Sequence, residues 1–489
     1  MSLAPKPQEV SVPVITRPGI TRRRALAASL VAAAGVGAVR LLGGSMQSLG
    51  EPQKGSGTDW MSPLGSESAR VMQLLRRATL GYTPSQLETA LSEGFSRTVD
   101  RLLESKPAEP PSLTAASTPG GRFAVAELQR WWVQHMLATP TPFAERMTLF
   151  WHGHFTSDYR KAADDTFMYW QNLSWRRMSM TNLRSMLMEV TTDPAMLRYL
   201  DLATSTGQSP NENYSRELME LFTMGPGNYT EDDVRQSAKA LAGWQLPRPD
   251  SFADVTVDSA TKVTRRLPVY TSQRSGVFNV RRSYGGPLTY LGKTGALDTQ
   301  GVLDRILAHP ATAPFIASKI ARHFVTAQPD AAYVRSLGNT FRRSNYDLKT
   351  LMRSVFTSAE FTSQASYRTL VKSPTEFMVH AARALGATSA ARLISSAGSG
   401  MGQTLFDPPD VSGWPNNESW ISSNTVVERV NFVTDALAQM TRSLPAFNDA
   451  VHTHLDGVLG PQTATLLNNA ADDRSRWLIT LASPEFQLK

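Results

Sequence analysis

The chain has 489 residues and no cysteine, which excludes a disulfide framework, thiolate nucleophiles and thiolate metal sites together. Its formal charge of +8 is concentrated at one end: residues 1–44 hold Lys6, Arg17, Arg22, Arg23, Arg24 and Arg40 against Glu9, which accounts for +5 and leaves +3 elsewhere. So mild a balance gives no case for nucleic-acid binding, and the length suffices for two or three domains or one large one.

Thr21-Arg22-Arg23-Arg24 opens an apolar, charge-free run from Ala25 to Val39, followed by Arg40 and a Gly/Ser/Pro-rich stretch. This is the layout of a secretory signal, with Val36-Gly37-Ala38 as a small-residue cleavage site. The run is shorter than the roughly 20 apolar residues of a bilayer span, so a cleaved peptide is expected rather than a permanent membrane span. Paired arginines before a weakly hydrophobic, alanine-rich segment resemble a twin-arginine signal and predict an exported protein, periplasmic or secreted. An unprocessed N-terminal helix is the alternative. Residues 1–44 are read as the signal, 45–65 as a flexible linker, and 66–489 as one large helical domain.

Ser66 to Glu104 reads as two helices, the second started by Thr83-Pro84-Ser85-Gln86. A proline-rich stretch runs from Lys106 to Pro119, and from Ala124 to Leu202 the pattern is helical and rich in tryptophan, predicted to be core. Between about 245 and 295, prolines, alternating Val/Thr/Tyr and a Gln273-Arg274-Ser275-Gly276 turn predict a small β-hairpin insertion. Helices resume at Thr299 and run with breaks to Leu385, where Gly386 is a natural stop. The fold class is therefore mainly α, a large multi-helix domain with a small β-hairpin insertion, and no fixed-period repeat argues for a solenoid.

Three segments carry candidate chemistry. In Asn211 to Phe222, Tyr214, Leu218, Leu221 and Phe222 recur at helical spacing, while Asn213, Glu217 and Glu220 fall on one polar stripe. Ser209 reads as the N-cap, Pro210 as the first helical residue and Glu212 as the return partner of a capping box, with Gly225 ending the helix. Glu217 lies beyond the reach of capping. Together with Asp158, Asp201 and Glu220 it makes a set of acids from which a glycosidase-like pair can be drawn if two lie roughly 5–10 Å apart. Asp193, in Thr192-Asp193-Pro194, is most simply an N-cap.

In Trp151-His152-Gly153-His154-Phe155, two histidines one residue apart share a metal only on an extended or turning segment, since on a helix they diverge. With Asp158 they form a candidate site for a divalent metal; the alternative is that one histidine caps or hydrogen-bonds inside the fold while the other faces solvent. The third segment, Asp407-Pro408-Pro409-Asp410-Val411-Ser412-Gly413-Trp414-Pro415, is a rigid loop that presents Trp414 and Trp420 either as a binding surface or as a plug. Candidate substrate-binding residues are His152, His154, Asn213, Arg216, Trp244, Trp414 and Trp420. There is no Gly-x-Ser-x-Gly elbow and no phosphate-cradling glycine loop.

Taken together these segments, with Asp193-Pro194-Ala195-Met196, Tyr199-Leu200-Asp201, Tyr229-Thr230-Glu231-Asp232-Asp233-Val234 through Gly243-Trp244, and His309-Pro310-Ala311-Thr312-Ala313, resemble the bacterial family catalogued as domain of unknown function 1800. The resemblance covers roughly residues 68 to 487. It implies a mostly helical, exported protein, often encoded beside a second exported family resembling alkaline phosphatases and sulfatases, and carries no agreed activity. Where the family usually shows a His-Asp pair this chain has Ser283-Tyr284. The expectation is an exported hydrolase acting on an extracellular or envelope polysaccharide, a carbohydrate polymer, through paired carboxylates. The competing readings are a noncatalytic partner or scaffold of an exported phosphatase/sulfatase-like protein, and a His/carboxylate metal-dependent enzyme.

Overall fold

A computed structural model describes residues 64–113, 124–258, 263–440 and 444–489. The segment expected to be an export signal, nearly all of the expected linker and residues 114–123 lie outside the described residues. The fold is mainly helical, as the periodicity predicts, and its strands form only two-stranded sheets.

Helices α1 (Glu67–Ala78) and α2 (Pro84–Glu104) open the described chain as a packed pair. The Thr83 hydroxyl accepts the Gln86 N–H while the Gln86 side chain accepts the Thr83 N–H, so the capping box stands where the spacing put it. A tryptophan-rich block follows: α3 (Val125–Ala138), α4 (Pro142–His154), α5 (Tyr159–Ala162), α6 (Asp165–Met178), α7 (Leu183–Thr192) and α8 (Pro194–Tyr199). Trp132, Trp151 and Trp175 in this block are wholly enclosed. Then come α9 (Asn213–Glu217), which runs into a π turn at Leu218–Thr223, and α10 (Glu231–Leu241).

The predicted β insertion is present, built as three antiparallel pairs rather than one hairpin. Trp244–Gln245 pairs with Val277–Phe278, Ser251–Asp258 with Val263–Val269, and Leu288–Tyr290 with Lys293–Gly295. The Gln273–Gly276 turn docks on the helical body through the Gly276 N–H, which donates to the Thr192 carbonyl at 2.7 Å.

Helices resume as α11 (Thr299–Ala308), α12 (Thr312–Phe324), α13 (Ala331–Arg343), α14 (Leu348–Phe356) and α15 (Pro374–Ala384). Gly386, at φ +67°, breaks the chain after α15 in a conformation that side chains rarely adopt. Then come α16 (Ala391–Ala397), α17 (Ser423–Ala438), α18 (Ala450–Leu455), α19 (Pro461–Asn468), α20 (Asp473–Ala482) and α21 (Pro484–Gln487). The last residues return to the body: Val371 and Leu488 form an antiparallel bridge, and the Lys489 N–H donates to the Leu370 carbonyl at 2.8 Å.

Buried side chains form two large apolar clusters, and α4 and α6 feed both. Phe143, Met147, Trp151 and Trp175 enter the cluster built with α7 and α9 through α14. Leu149, Phe167, Met168 and Trp170 enter the one built with α3, α15, α16, α17 and α20. Between them Glu145 accepts the Trp132 indole N–H at 2.9 Å and an Arg176 N–H at 3.0 Å. Among the described residues, no helix is long and apolar enough to cross a membrane.

Candidate functional site

The helix carrying the acid stripe starts later than its sequence suggests. Ser209 is held in a reciprocal turn with Thr206, so its hydroxyl does not cap, and the Asn211 side chain accepts the Asn213 N–H at 2.9 Å instead. Glu212 accordingly makes no capping box and lies 3.4 Å from Arg216. Past Glu217 the backbone widens into the π turn, whose last carbonyls lack helical partners of their own. Two side chains from elsewhere supply them: Lys319 Nζ donates to Leu221 O at 3.1 Å, and His154 Nε2 to Phe222 O at 3.0 Å.

That bond fixes the role of His154, and the helical conformation of α4 separates it from His152. The His154 ring lies among Phe150, Trp151, Phe155 and Phe222, whereas His152 lies among Trp132, Phe406 and Trp414. His152 Nε2 accepts the Phe406 N–H at 3.2 Å, which puts its proton on Nδ1. Burial holds His152 down at about 3 and, with Lys319 nearby, His154 well below the usual imidazole range, so both are neutral near pH 7. The expected metal set of His152, His154 and Asp158 does not assemble, because the segment is helical rather than extended and Asp158 is turned to other work. Among the described residues, no three histidine or carboxylate side chains gather as a metal set. Both imidazoles are buried, and each holds a backbone group, His154 the Phe222 carbonyl and His152 the Phe406 N–H.

Asp158 is the N-cap of α5 and accepts the Lys161 N–H at 2.7 Å. Asp201 sits at φ +60° at the end of α8, where its carboxylate accepts from Lys161 Nζ at 2.9 Å and from the Asn213 amide at 3.0 Å. These contacts join the α5 start, the α8 end and the acid helix. Tyr199 lies in their midst. It is only 6% exposed, and Lys161 Nζ sits 5.6 Å over its ring. Burial first, then the fields of Asp158, Asp410 and Glu217, push its hydroxyl up to about 12.

Within this group Glu217 is set apart. Half-buried, it has neither a hydrogen bond nor an ion pair among the described residues, and burial, then the neighbouring Glu220, raises its pKa above the ordinary glutamate value. Arg216 is committed elsewhere, to Glu231 at 2.7 and 2.8 Å. Glu220 accepts the Tyr229 hydroxyl.

The Asp407–Trp414 loop closes one side. Phe406 starts it at φ +64°, a strained value for a bulky side chain, held from both faces: its N–H by His152, its carbonyl by the Tyr159 N–H at 2.9 Å. Arg160 pairs with Asp407, and Gly413 lies so close to the Gly153 carbonyl that a Cβ there would stand 2.2 Å from the oxygen. The loop is thus seated as a plug. Trp414 and Trp420 are 8% and 4% exposed, so neither offers an open face for a sugar; Trp244, half-buried, donates its indole N–H to Thr299 Oγ1 at 2.9 Å. Ser283-Tyr284 stands beside Gly207, whose N–H donates to the Arg282 carbonyl at 2.7 Å, and Lys239 covers the Tyr284 ring.

Of the residues singled out in the sequence, Asp201 and Asn213 are in direct contact, Asp158 and Glu217 both lie near Tyr199, and the histidines and the tryptophans of the proline loop are buried apart from them. Sequence reading misses Tyr199, Lys161 and Asp410. Tyr199 stands in the Tyr199-Leu200-Asp201 motif and Asp410 in the proline loop, where a motif reading could find them; Lys161 carries no signal outside the fold.

The fold and site define a large helical protein with an acid group assembled from four chain segments. The family model described as protein of unknown function (DUF1800) matches residues 73–488, and the chain belongs to that family. No curated protein and no solved structure matches it.

Proposed function

We propose that the group around Tyr199 is a hydrolytic site, and that the protein is an exported hydrolase acting on an extracellular or envelope polysaccharide. The observation that carries this is Glu217: a half-buried carboxyl with no partner among the described residues and a raised pKa, as a general acid requires. Of the other acids, Asp201 is engaged by Lys161 and Asn213 and serves to orient, and Glu220 is held by Tyr229. Asp158 caps α5 through Oδ1 alone and is taken as the second carboxylate through its other oxygen. In this assignment Glu217 protonates the departing glycosidic oxygen while Asp158 acts as base or nucleophile. Arg216 and Asn213 lie on the same helix at the substrate's edge.

A second reading, a noncatalytic scaffold for an exported phosphatase- or sulfatase-like partner, gains from the burial of Trp414 and Trp420, which deprives the site of aromatic walls. One experiment separates the two. The secreted protein is incubated with a panel of bacterial and plant polysaccharides, alongside Glu217→Gln, and new reducing ends are counted. Release by the wild type but not the variant supports the hydrolase. No release from any polymer favours the scaffold, and equal release by both removes Glu217 from the site.

A further inference from the structure

Positive charge and exposed apolar side chains gather in the same part of the chain. Residues 244–290 carry seven lysines and arginines against Asp250, Asp254 and Asp258, or +4, whereas residues 45–489 together sum to +3. Everything past residue 44 outside the β insertion is therefore close to neutral, at −1. Five large hydrophobic side chains stand exposed among the described residues, and four of them, Phe252, Val277, Phe278 and Val280, lie in this insertion. Val280 stands out furthest, at 74% exposed. Such a concentration marks a surface that something else covers.

The exposure is built into the fold. The segment from Gly276 to Arg282 is fixed to the helical body at both ends: Gly276 donates its N–H to the Thr192 carbonyl at 2.7 Å, the Arg282 carbonyl accepts the Gly207 N–H at 2.7 Å, and the Arg282 guanidinium donates to the Thr204 carbonyl at 3.2 Å. Between these anchors the short turn Val280–Arg282 is capped by Asn279, whose side chain accepts the Arg281 N–H at 3.1 Å and donates to Gln245 Oε1 at 2.9 Å. Phe278 sets its ring against Trp244, with 5.3 Å between centroids. So mounted, the segment leaves Val280 and Arg281 in solvent. Arg248, Arg274 and Arg281 are exposed and make no ion pair among the described residues, and Asp250 is occupied by the N–H and hydroxyl groups of Thr271 and Ser272. Elsewhere in the insertion, Arg266 holds its guanidinium 5.5 Å over the exposed Phe252 ring.

We propose that the β insertion docks the protein on an anionic phospholipid bilayer, with Val280, Phe278 and Phe252 entering the headgroup layer and the arginines beside them taking lipid phosphates. Projecting apolar tips gain by leaving water for the acyl boundary, and guanidiniums without carboxylate partners are drawn to a negative surface. A fluid surface accommodates tips set on separate pieces of the insertion, whereas a folded partner would have to match them. An acidic polymer would engage the arginines and leave the apolar tips in water. The contact is peripheral, made by side chains, and is independent of the acids around Tyr199.

Because the chain has no cysteine, Val280→Cys creates a single labelling site in the full chain, and Val427→Cys, at a position on α17 that is 56% exposed, serves as the control. Each is labelled with an environment-sensitive dye and mixed with vesicles of phosphatidylcholine alone, or of equal parts phosphatidylcholine and phosphatidylglycerol, in about 0.1 M salt. The expected result is a blue shift and a severalfold gain in emission at position 280 with the anionic vesicles only, and none at position 427. Adding Arg248→Gln and Arg281→Gln should weaken that binding about tenfold or more. No response at 280 overturns the proposal, as does an equal response to both vesicle types, an equal response at 427, or binding that the two arginine changes leave intact. A response at 280 to dextran sulfate without lipid, as large as that to the anionic vesicles, assigns the surface to soluble polyanions and overturns it too. Should the arginine variant fail to fold, salt decides: at about 0.5 M the response at 280 should fall severalfold, and a response that persists refutes the proposal.

Discussion

Two glutamates show how partners decide what a buried carboxyl can do. Burial alone would raise Glu145, but Arg176 and then His135 hold it down at about 2, and it stays ionised. Glu217 has no such partner and is raised. Glutamine mimics the protonated form of Glu217, so Glu217→Gln is expected to leave the thermal midpoint nearly unchanged while lowering any turnover by about 10² or more. Glu145→Gln is expected to do the reverse, stranding the Arg176 charge and costing roughly 3–5 kcal/mol in urea unfolding without touching the site. A small stability loss for the second variant would show that Arg176 finds another acceptor. Glu217 was legible in the sequence because i, i+4 spacing is local; Glu145 was not, since its partners sit on α3 and α6. The same limit misled the reading of His152 and His154. α4 continues through Gly153, and two helical steps send the two rings to different environments.

Caps and stops were the most readable features at the level of elements, because their hydrogen bonds close within four residues. Asp193 illustrates both the success and its limit: it caps α8 by accepting the Met196 N–H at 2.8 Å, as its place before Pro194 predicts. That it is enclosed, with the Gln171 amide as its other donor at 2.8 Å, could not be read. Burial lifts its pKa from 3.8 to about 7. Between about pH 4 and 7 the folded protein therefore keeps a proton that the unfolded chain has released. Stability should fall as pH rises through that window and level off above it. Asp193→Asn retains the acceptor and both donors but cannot ionise, so the slope should flatten and the variant should be the more stable at pH 8, by on the order of 3 kcal/mol. Urea midpoints at pH 5 and pH 8 for both proteins measure this, and parallel pH dependences would refute it. The Asp407–Trp414 loop gives a steric counterpart. Gly413 is at φ +90° against the Gly153 carbonyl, so Gly413→Ala must either unseat the loop or shift α4. A loss of roughly 2–4 kcal/mol is expected, together with exposure of Trp414 seen as a red-shifted fluorescence spectrum. An unchanged spectrum and midpoint would show that the loop is not anchored there.

Across the whole molecule, the motifs could be listed in order from the sequence, but their convergence could not, because nothing local specifies that the α5 start, the α8 end, the acid helix and the proline loop meet at Tyr199. The same holds for the joint between the two apolar clusters. Chains beyond about 250–300 residues commonly split into separately folding cores. Here α4 and α6 contribute to both clusters, and Glu376 on α15 pairs with Arg146 on α4 and with Lys489 at the returning end. These links make the clusters interdependent, and Glu376→Gln tests them with little disturbance of α15, since the amide oxygen can still accept the Ser373 N–H. The change strands Arg146 and Lys489 together and should cost roughly 3–5 kcal/mol. If the clusters are mechanically one unit, unfolding should remain a single transition at a lower midpoint, and hydrogen exchange should accelerate alike in α7, which belongs wholly to the first cluster, and in α17, which belongs to the second. Acceleration confined to α17, or a second transition, would instead mean that the C-terminal helices unfold as a separate body and that the shared helices are held by the first cluster alone.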